Sequence, residues 1–162
     1  MKNDNGKTRR IPASAILTVY FIVSLALIFA AAVEARAGNS YRIGGRIRGL
    51  TGEHKVYVNI YSGEANFKDG FAMKSVIIHP DKIREGRAEY YFLMPEGEYM
   101  IMVFEDRNGD GKLNYGGVFN TPREPYGFYR RFRPFLNSPS FDRLKFRVDK
   151  EMRDANINLI KK

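Results

Sequence analysis

The sequence contains no cysteine among its 162 residues. This absence excludes disulfide bonds, thiolate metal ligands, a cysteine nucleophile and the lipid-carrying cysteine of a lipoprotein. Histidine is almost as scarce, because only His54 and His79 are present. A lone histidine at the end of a strand is ordinarily a solvated surface residue, even where an acid such as Asp81 follows it. We therefore predict that the protein is not an enzyme and that burial alone stabilises it.

The first 37 residues have the three parts of a secretory signal peptide. A polar, basic segment precedes an apolar run over residues 11–33, and Ala35 and Ala37 supply the small side chains that a signal peptidase inspects. We expect cleavage after Ala37, a mature domain at residues 38–162, and a periplasmic or secreted protein. The alternative is an uncleaved anchor, because the run approaches the ~20 apolar residues that span a bilayer. Contact with a membrane is expected only through this segment.

Alternation with a period of two residues dominates the predicted mature chain. Isoleucines alternate with arginines in residues 42–48, and residues 99–104 are apolar at every position, which predicts a central strand buried on both faces. The turns at residues 50–53 and 95–97 predict hairpins. Residues 118–140, rich in proline and aromatics, predict a long surface loop. About seven short strands predict an all-β fold, namely a single antiparallel β-sandwich.

Residues 105–114, EDRNGDGKLN, have the spacing of a calcium loop. An EF-hand places oxygen ligands at positions 1, 3, 5, 7 and 9 and glycine at position 6. The corresponding residues are Asp106, Asn108, Asp110, the carbonyl of Lys112, Asn114 and Gly111. Position 12 is Gly117 instead of glutamate, so Glu105 or Glu124 must supply the last carboxylate.

A purely structural turn is the alternative interpretation of this loop. Asn-Gly and Asp-Gly are favoured wherever φ must be positive, and their side chains bond to their own backbone. A strand enters the loop and two glycines leave it, which excludes the helices of a true EF-hand. Calcium is thus the one candidate cofactor, and we expect binding to be weak, with a Kd of ~10⁻⁴ to 10⁻³ M.

A second candidate site combines aromatic and basic residues. Its members are Tyr126, Phe128, Arg130, Arg131 and Arg133. Such a surface suits an anionic lipid headgroup or polysaccharide. Nucleic acid would be bound by the same charges, but the predicted export excludes it. The alternatives are that the rings cover the end of the core and that the arginines protect sheet edges from pairing.

Three segments taken together resemble the bacterial family of unknown function DUF2141. They are residues 105–114, residues 122–128 with their Tyr-Gly-Phe motif, and residues 139–142, Pro-Ser-Phe-Asp. The resemblance implies an exported all-β protein with an immunoglobulin-like or transthyretin-like fold and an uncharacterised function. Residues 94–99 are also similar to a turn of carboxypeptidase regulatory-type domains, which implies a non-catalytic module. Asn114 replaces an aspartate that is frequent in the family, which disfavours a metal.

The leading hypothesis is an exported, non-enzymatic β-sandwich module whose Asp106 loop is either a structural turn or a weak calcium site. Its ligand in the envelope or the extracellular medium is not identified by the sequence. The first alternative is a binder of anionic envelope lipid or polysaccharide through the basic and aromatic surface. The second alternative is a hydrolase that acts on envelope material with carboxylates near Asp106.

We predict that the exported protein begins at Gly38, because signal peptidase cleaves after an Ala-x-Ala site. Mass spectrometry of the intact protein recovered from outside the cytoplasm measures this directly. A protein that retains residues 11–33 and remains with the membrane fraction would contradict cleavage and favour the anchor.

Overall fold

The structure is a computed structural model, and it describes residues 39–118, 121–132 and 138–160. The predicted signal segment and Arg133 lie outside the described residues. The described residues belong to one compact unit that begins at Asn39. Within these ranges, no helix has both the length and the apolar character needed to cross a membrane.

Strands dominate the described residues, so the predicted all-β fold is confirmed. The elements are β1 (Ser40–Arg48), β2 (Lys55–Tyr61), α1 (Glu64–Lys68), β3 (Lys74–Ile78), a 3-10 turn (Pro80–Lys82), β4 (Arg87–Pro95), β5 (Gly97–Asp106), β6 (Tyr115–Gly116), β7 (Thr121–Pro122), β8 (Tyr126–Phe128), α2 (Phe141–Leu144), β9 (Phe146–Val148) and β10 (Ile157–Asn158). The strands outnumber the roughly seven that were predicted, because several have only two or three residues and cannot show an alternating pattern.

The strands form two larger sheets and one small one. The first has the order β10-β1-β4, and β1 pairs antiparallel with β4 and parallel with β10. The second has the order β3-β2-β5-β8, and β9 pairs with the beginning of β5. Strands β6 and β7 pair with each other. Among the named strands of the described residues, all pairings except β1 with β10 are antiparallel.

Both predicted hairpins are wrong. Strand β1 pairs with β4 and β10, whereas β2 pairs with β3 and β5, so residues 49–54 connect one sheet to the other. The turn at Glu96 likewise connects β4 of the first sheet to β5 of the second. Turn residues indicate where the chain reverses, but the burial of whole strand faces decides which strands pair.

Strand β5 is the central strand of its sheet, as predicted, and residues 99–106 are all buried. Alternate side chains of β5 belong to two different cores. Tyr99, Ile101 and Val103 join the main core, which contains residues of both larger sheets. Met100, Met102 and Phe104 join an outer core with residues of α2 and β8, against which Phe67 of α1 packs. The outer core explains why β5 is apolar on both faces.

The prediction of a surface loop over residues 118–140 is wrong for residues 126–128. These residues form β8, which pairs with β5 from Met102 to Phe104 and is buried throughout. A three-residue strand is too short to reveal itself by alternation. Strand β8 is buried because it pairs with one edge of β5 and because its rings cover the apolar outer face of β5.

The first sheet contains a point where backbone packs against backbone. A side-chain Cβ at Gly45 would lie 2.2 Å from the carbonyl oxygen of Ala155. The Ala155 N–H donates to the Gly44 carbonyl at 3.0 Å, which fixes the crossing segment in place. Only glycine fits at position 45 without displacing this backbone.

We predict that Gly45→Ala lowers the free energy of unfolding by about 1–3 kcal/mol, because the added methyl group must push the two backbones apart. Gly63→Ala is the matched control, since its Cβ would meet no heavy atom within 4 Å. We expect the control to change stability by less than about 0.5 kcal/mol. Urea unfolding followed by circular dichroism measures both, and equal stabilities would contradict the packing argument.

Candidate metal centre

The end of β5 directs two consecutive acids to opposite faces of the sheet. Glu105 follows Val103 on the face of the main core, where its carboxylate accepts the Thr51 N–H at 2.9 Å and the Thr51 hydroxyl at 2.7 Å. It therefore anchors the connection between β1 and β2 instead of completing the Asp106 loop. Sequence analysis missed this role, although the alternation of β5 already placed position 105 on the inner face.

Asp106 is the residue around which the loop is wound. It is only 3% exposed, and its two carboxylate oxygens accept the N–H groups of Gly109 and Gly111, each at 2.9 Å. Gly109 and Gly111 have φ values of 78° and 75°, in the left-handed region that glycine adopts without strain. The glycines thus allow the backbone to turn both N–H groups toward one buried carboxylate.

A chain of side-chain hydrogen bonds continues through the rest of the loop. The Asp110 N–H donates to Asn108 Oδ1 at 3.2 Å, and the Lys112 N–H donates to Asp110 Oδ1 at 2.8 Å. The Asn114 amide donates to Asp110 Oδ2 at 2.9 Å, and the Asn108 amide donates to Asn114 Oδ1 at 2.7 Å. The Asn114 amide, followed by the Lys112 N–H, lowers the pKa of Asp110. Asp110 is thereby held in its charged form.

Glu124 reaches into the loop from the segment that precedes β8. Its carboxylate accepts the Arg107 N–H at 3.2 Å and the Asn114 N–H at 3.0 Å, so one side chain joins the beginning and the end of the loop. It is only 6% exposed. The Arg123 N–H also donates to the Asn114 carbonyl at 2.8 Å, which keeps this segment beside the loop.

The structure brings three of the predicted metal ligands together. One carboxylate oxygen from each of Asp106, Asp110 and Glu124 lies within 4.8 Å of the other two. Within the described parts of the chain, none of the three forms an ion pair with a basic side chain. Among the described residues, each of their six oxygens accepts a hydrogen bond, and a carboxylate oxygen carries two lone pairs. A donor set made only of oxygen fits a hard cation such as calcium.

Comparison with known proteins gives a family but no activity. Residues 47–156 match the family described as "Uncharacterized protein conserved in bacteria (DUF2141)". The chain belongs to the DUF2141 family. The family resemblance of the loop and its neighbouring segments is thus confirmed, and the matched range of DUF2141 contains all three carboxylates. No curated protein and no solved structure gives a significant match.

The two aromatic residues of the second candidate site of this DUF2141 protein are buried. Tyr126 and Phe128 are each 7% exposed, and their rings pack edge to face in the outer core. This is the alternative in which the rings cover a core. Arg130 and Arg131 are exposed, and Arg133 lies outside the described residues. Ligand binding by these arginines stays a prediction.

We predict that Asp106→Asn destabilises the metal-free protein by about 1–3 kcal/mol, because the amide nitrogen cannot accept one of the two buried backbone N–H bonds. Asp110→Asn makes the same chemical change at an exposed position. We expect a smaller loss there, since water replaces the missing acceptor. Urea unfolding in chelator measures both variants. A loss at Asp110 equal to that at Asp106 would contradict the central role of Asp106.

Proposed function

We propose that this DUF2141 protein is an exported, non-catalytic module that binds calcium in the Asp106 loop. The observation that carries the proposal is the position of Glu124. Its carboxylate joins those of Asp106 and Asp110 and takes the part that position 12 plays in an EF-hand loop. Asn108, Asn114 and the backbone of Lys112 are the further oxygen donors that the loop offers.

Electrostatics supports a bound cation. Asp106 and Glu124 are almost fully buried, and burial of a charged carboxylate is costly unless an opposite charge offsets it. Backbone N–H groups provide part of that offset, but no basic side chain among the described residues pairs with the cluster. A divalent ion would supply the missing positive charge and would reduce the repulsion among three carboxylates.

Weak affinity fits a protein outside the cytoplasm. Three carboxylates and neutral amides make a site of modest charge, and loops of this kind in extracellular modules have Kd values of ~10⁻⁴ to 10⁻³ M. Calcium reaches such concentrations outside the cell. The signal segment predicted at residues 1–37 supports the same location, because a segment of this kind directs export.

The positions of the histidines support a non-catalytic role. His54 lies 3.8 Å from the exposed carboxylate of Glu53, and His79 precedes the 3-10 turn at Pro80–Lys82. Neither belongs to the acidic cluster. All three carboxylates of the cluster accept hydrogen bonds from backbone N–H groups of the loop, so each has a structural role there. The envelope hydrolase considered above has no comparable geometric support.

We predict that calcium raises the melting temperature of the protein. At about 10 mM free calcium, ten times the upper end of the expected Kd range, the native state gains about 1.4 kcal/mol and the Tm rises by several degrees. Differential scanning calorimetry in calcium and in chelator measures the shift. Asp110→Asn is expected to abolish most of this Tm shift, because the variant removes one ligand charge. Asp110 is exposed, so the substitution leaves the buried carboxylates of Asp106 and Glu124 in place.

Asp149→Asn is the matched control for this experiment. Its side chain is 54% exposed and lies in a weak ion pair with Arg147, away from the loop. The control protein should keep the full calcium shift. An unchanged Tm for the wild-type protein in calcium, or an equal shift in both variants, would refute calcium binding by the loop.

A further inference from the structure

A cleft of about 680 Å³ lies between the Asp106 loop and the segment that follows α1. Strands β2 and β5 contribute Asn59, Met102 and Phe104 to its lining. Residues 67–71 line it on the side of α1, and residues 111–113 line it on the side of the loop. Its volume lies within the usual range for small-ligand sites, ~300 to 1,000 Å³. These residues come from segments that are distant in the sequence, so no single motif predicts the cleft.

Asn59 of β2 offers hydrogen bonds inside the cleft. The Asn59 amide donates to the Tyr61 hydroxyl at 3.2 Å, and the Asn59 carbonyl accepts the Ser75 hydroxyl at 2.8 Å. An amide has a second N–H and a second lone pair, so Asn59 can still donate and accept. Tyr61 is only 2% exposed and belongs to the outer core, so it holds the Asn59 amide in position and is not itself offered to a ligand.

Aromatic rings are exposed at the same cleft. Phe71 is 73% exposed and Tyr115 is 45% exposed, although contact of a large apolar side chain with water is energetically unfavourable. Lys68, Asp69 and Lys112 also line the cleft, and Lys68 pairs with Glu64 at 3.3 Å. The lining therefore combines rings, an amide and charges of both signs.

We propose that this cleft binds a neutral oligosaccharide. The C–H faces of a sugar ring pack against aromatic side chains, while its hydroxyl groups both donate and accept hydrogen bonds, which suits the remaining N–H and lone pair of Asn59. A lipid chain would bury the remaining N–H and lone pair of Asn59 and the charges of Asp69 and Lys112 against hydrocarbon, which is costly. A strongly anionic polymer needs an excess of positive charge, whereas Asp69 and the pairing of Lys68 with Glu64 offset the lysines here. The proposal does not depend on calcium in the neighbouring loop.

Isothermal titration calorimetry of the exported protein tests the proposal. The probes are cellotetraose, maltotetraose and N-acetylchitotetraose, each titrated in calcium and again in chelator. We expect at least one of them to bind with a micromolar to millimolar Kd. Phe71→Ala and Tyr115→Ala should each weaken that binding by about three- to tenfold, because each removes one ring contact.

Tyr91→Ala is the matched control, because Tyr91 is 52% exposed but belongs to β4 of the other sheet. It should bind the probe as the wild-type protein does. The proposal is overturned if none of the three probes binds in either buffer, or if Tyr91→Ala loses as much affinity as Tyr115→Ala. Binding only to vesicles of phosphatidylethanolamine and phosphatidylglycerol would also overturn it. Failure of the calcium proposal is seen separately, as an unchanged melting temperature.

Discussion

The burial of β5 on both faces is the constraint on which the rest of the structure depends. One face of β5 contributes to the main core, so strands of both larger sheets must pack against it. The other face carries Met100, Met102 and Phe104, which must also be covered to be removed from water. Helix α2, strand β8 and Phe67 of α1 provide this second cover. These short elements therefore bury the outer face of β5.

The geometry of the acidic cluster follows from the same strand. Alternation along β5 sends Glu105 toward Thr51 and Asp106 into the loop, so consecutive acids acquire different roles. The pairing of Phe104 with Tyr126 then fixes the position of β8 beside β5. Glu124 precedes Tyr126 by two residues and is carried by this pairing to the loop. Two distant segments therefore build one carboxylate cluster because β8 covers the outer core.

The sequence alone predicted local features better than distant pairings. Residues 99–104 revealed a central strand because apolar side chains at every position report burial on two faces. The turn at Glu96 predicted a hairpin, yet its flanking strands belong to different sheets. The burial of Tyr126 and Phe128 could not be predicted, since composition does not tell an exposed ring from one that covers a core. Spacing identified the loop and left Glu105 and Glu124 as alternatives for the last carboxylate. Only the fold shows that Glu124 lies beside Asp106 and that Glu105 bonds to Thr51 instead.

The Asp106 loop and the neighbouring cleft share a wall, residues 111–113, so both proposed sites depend on the same loop. A crystal structure of the protein grown in calcium tests the central claim most directly. We predict one ion bound by carboxylate oxygens of Asp106, Asp110 and Glu124. A well-ordered loop without an ion, in which the Asn114 amide still bonds to Asp110, would contradict it.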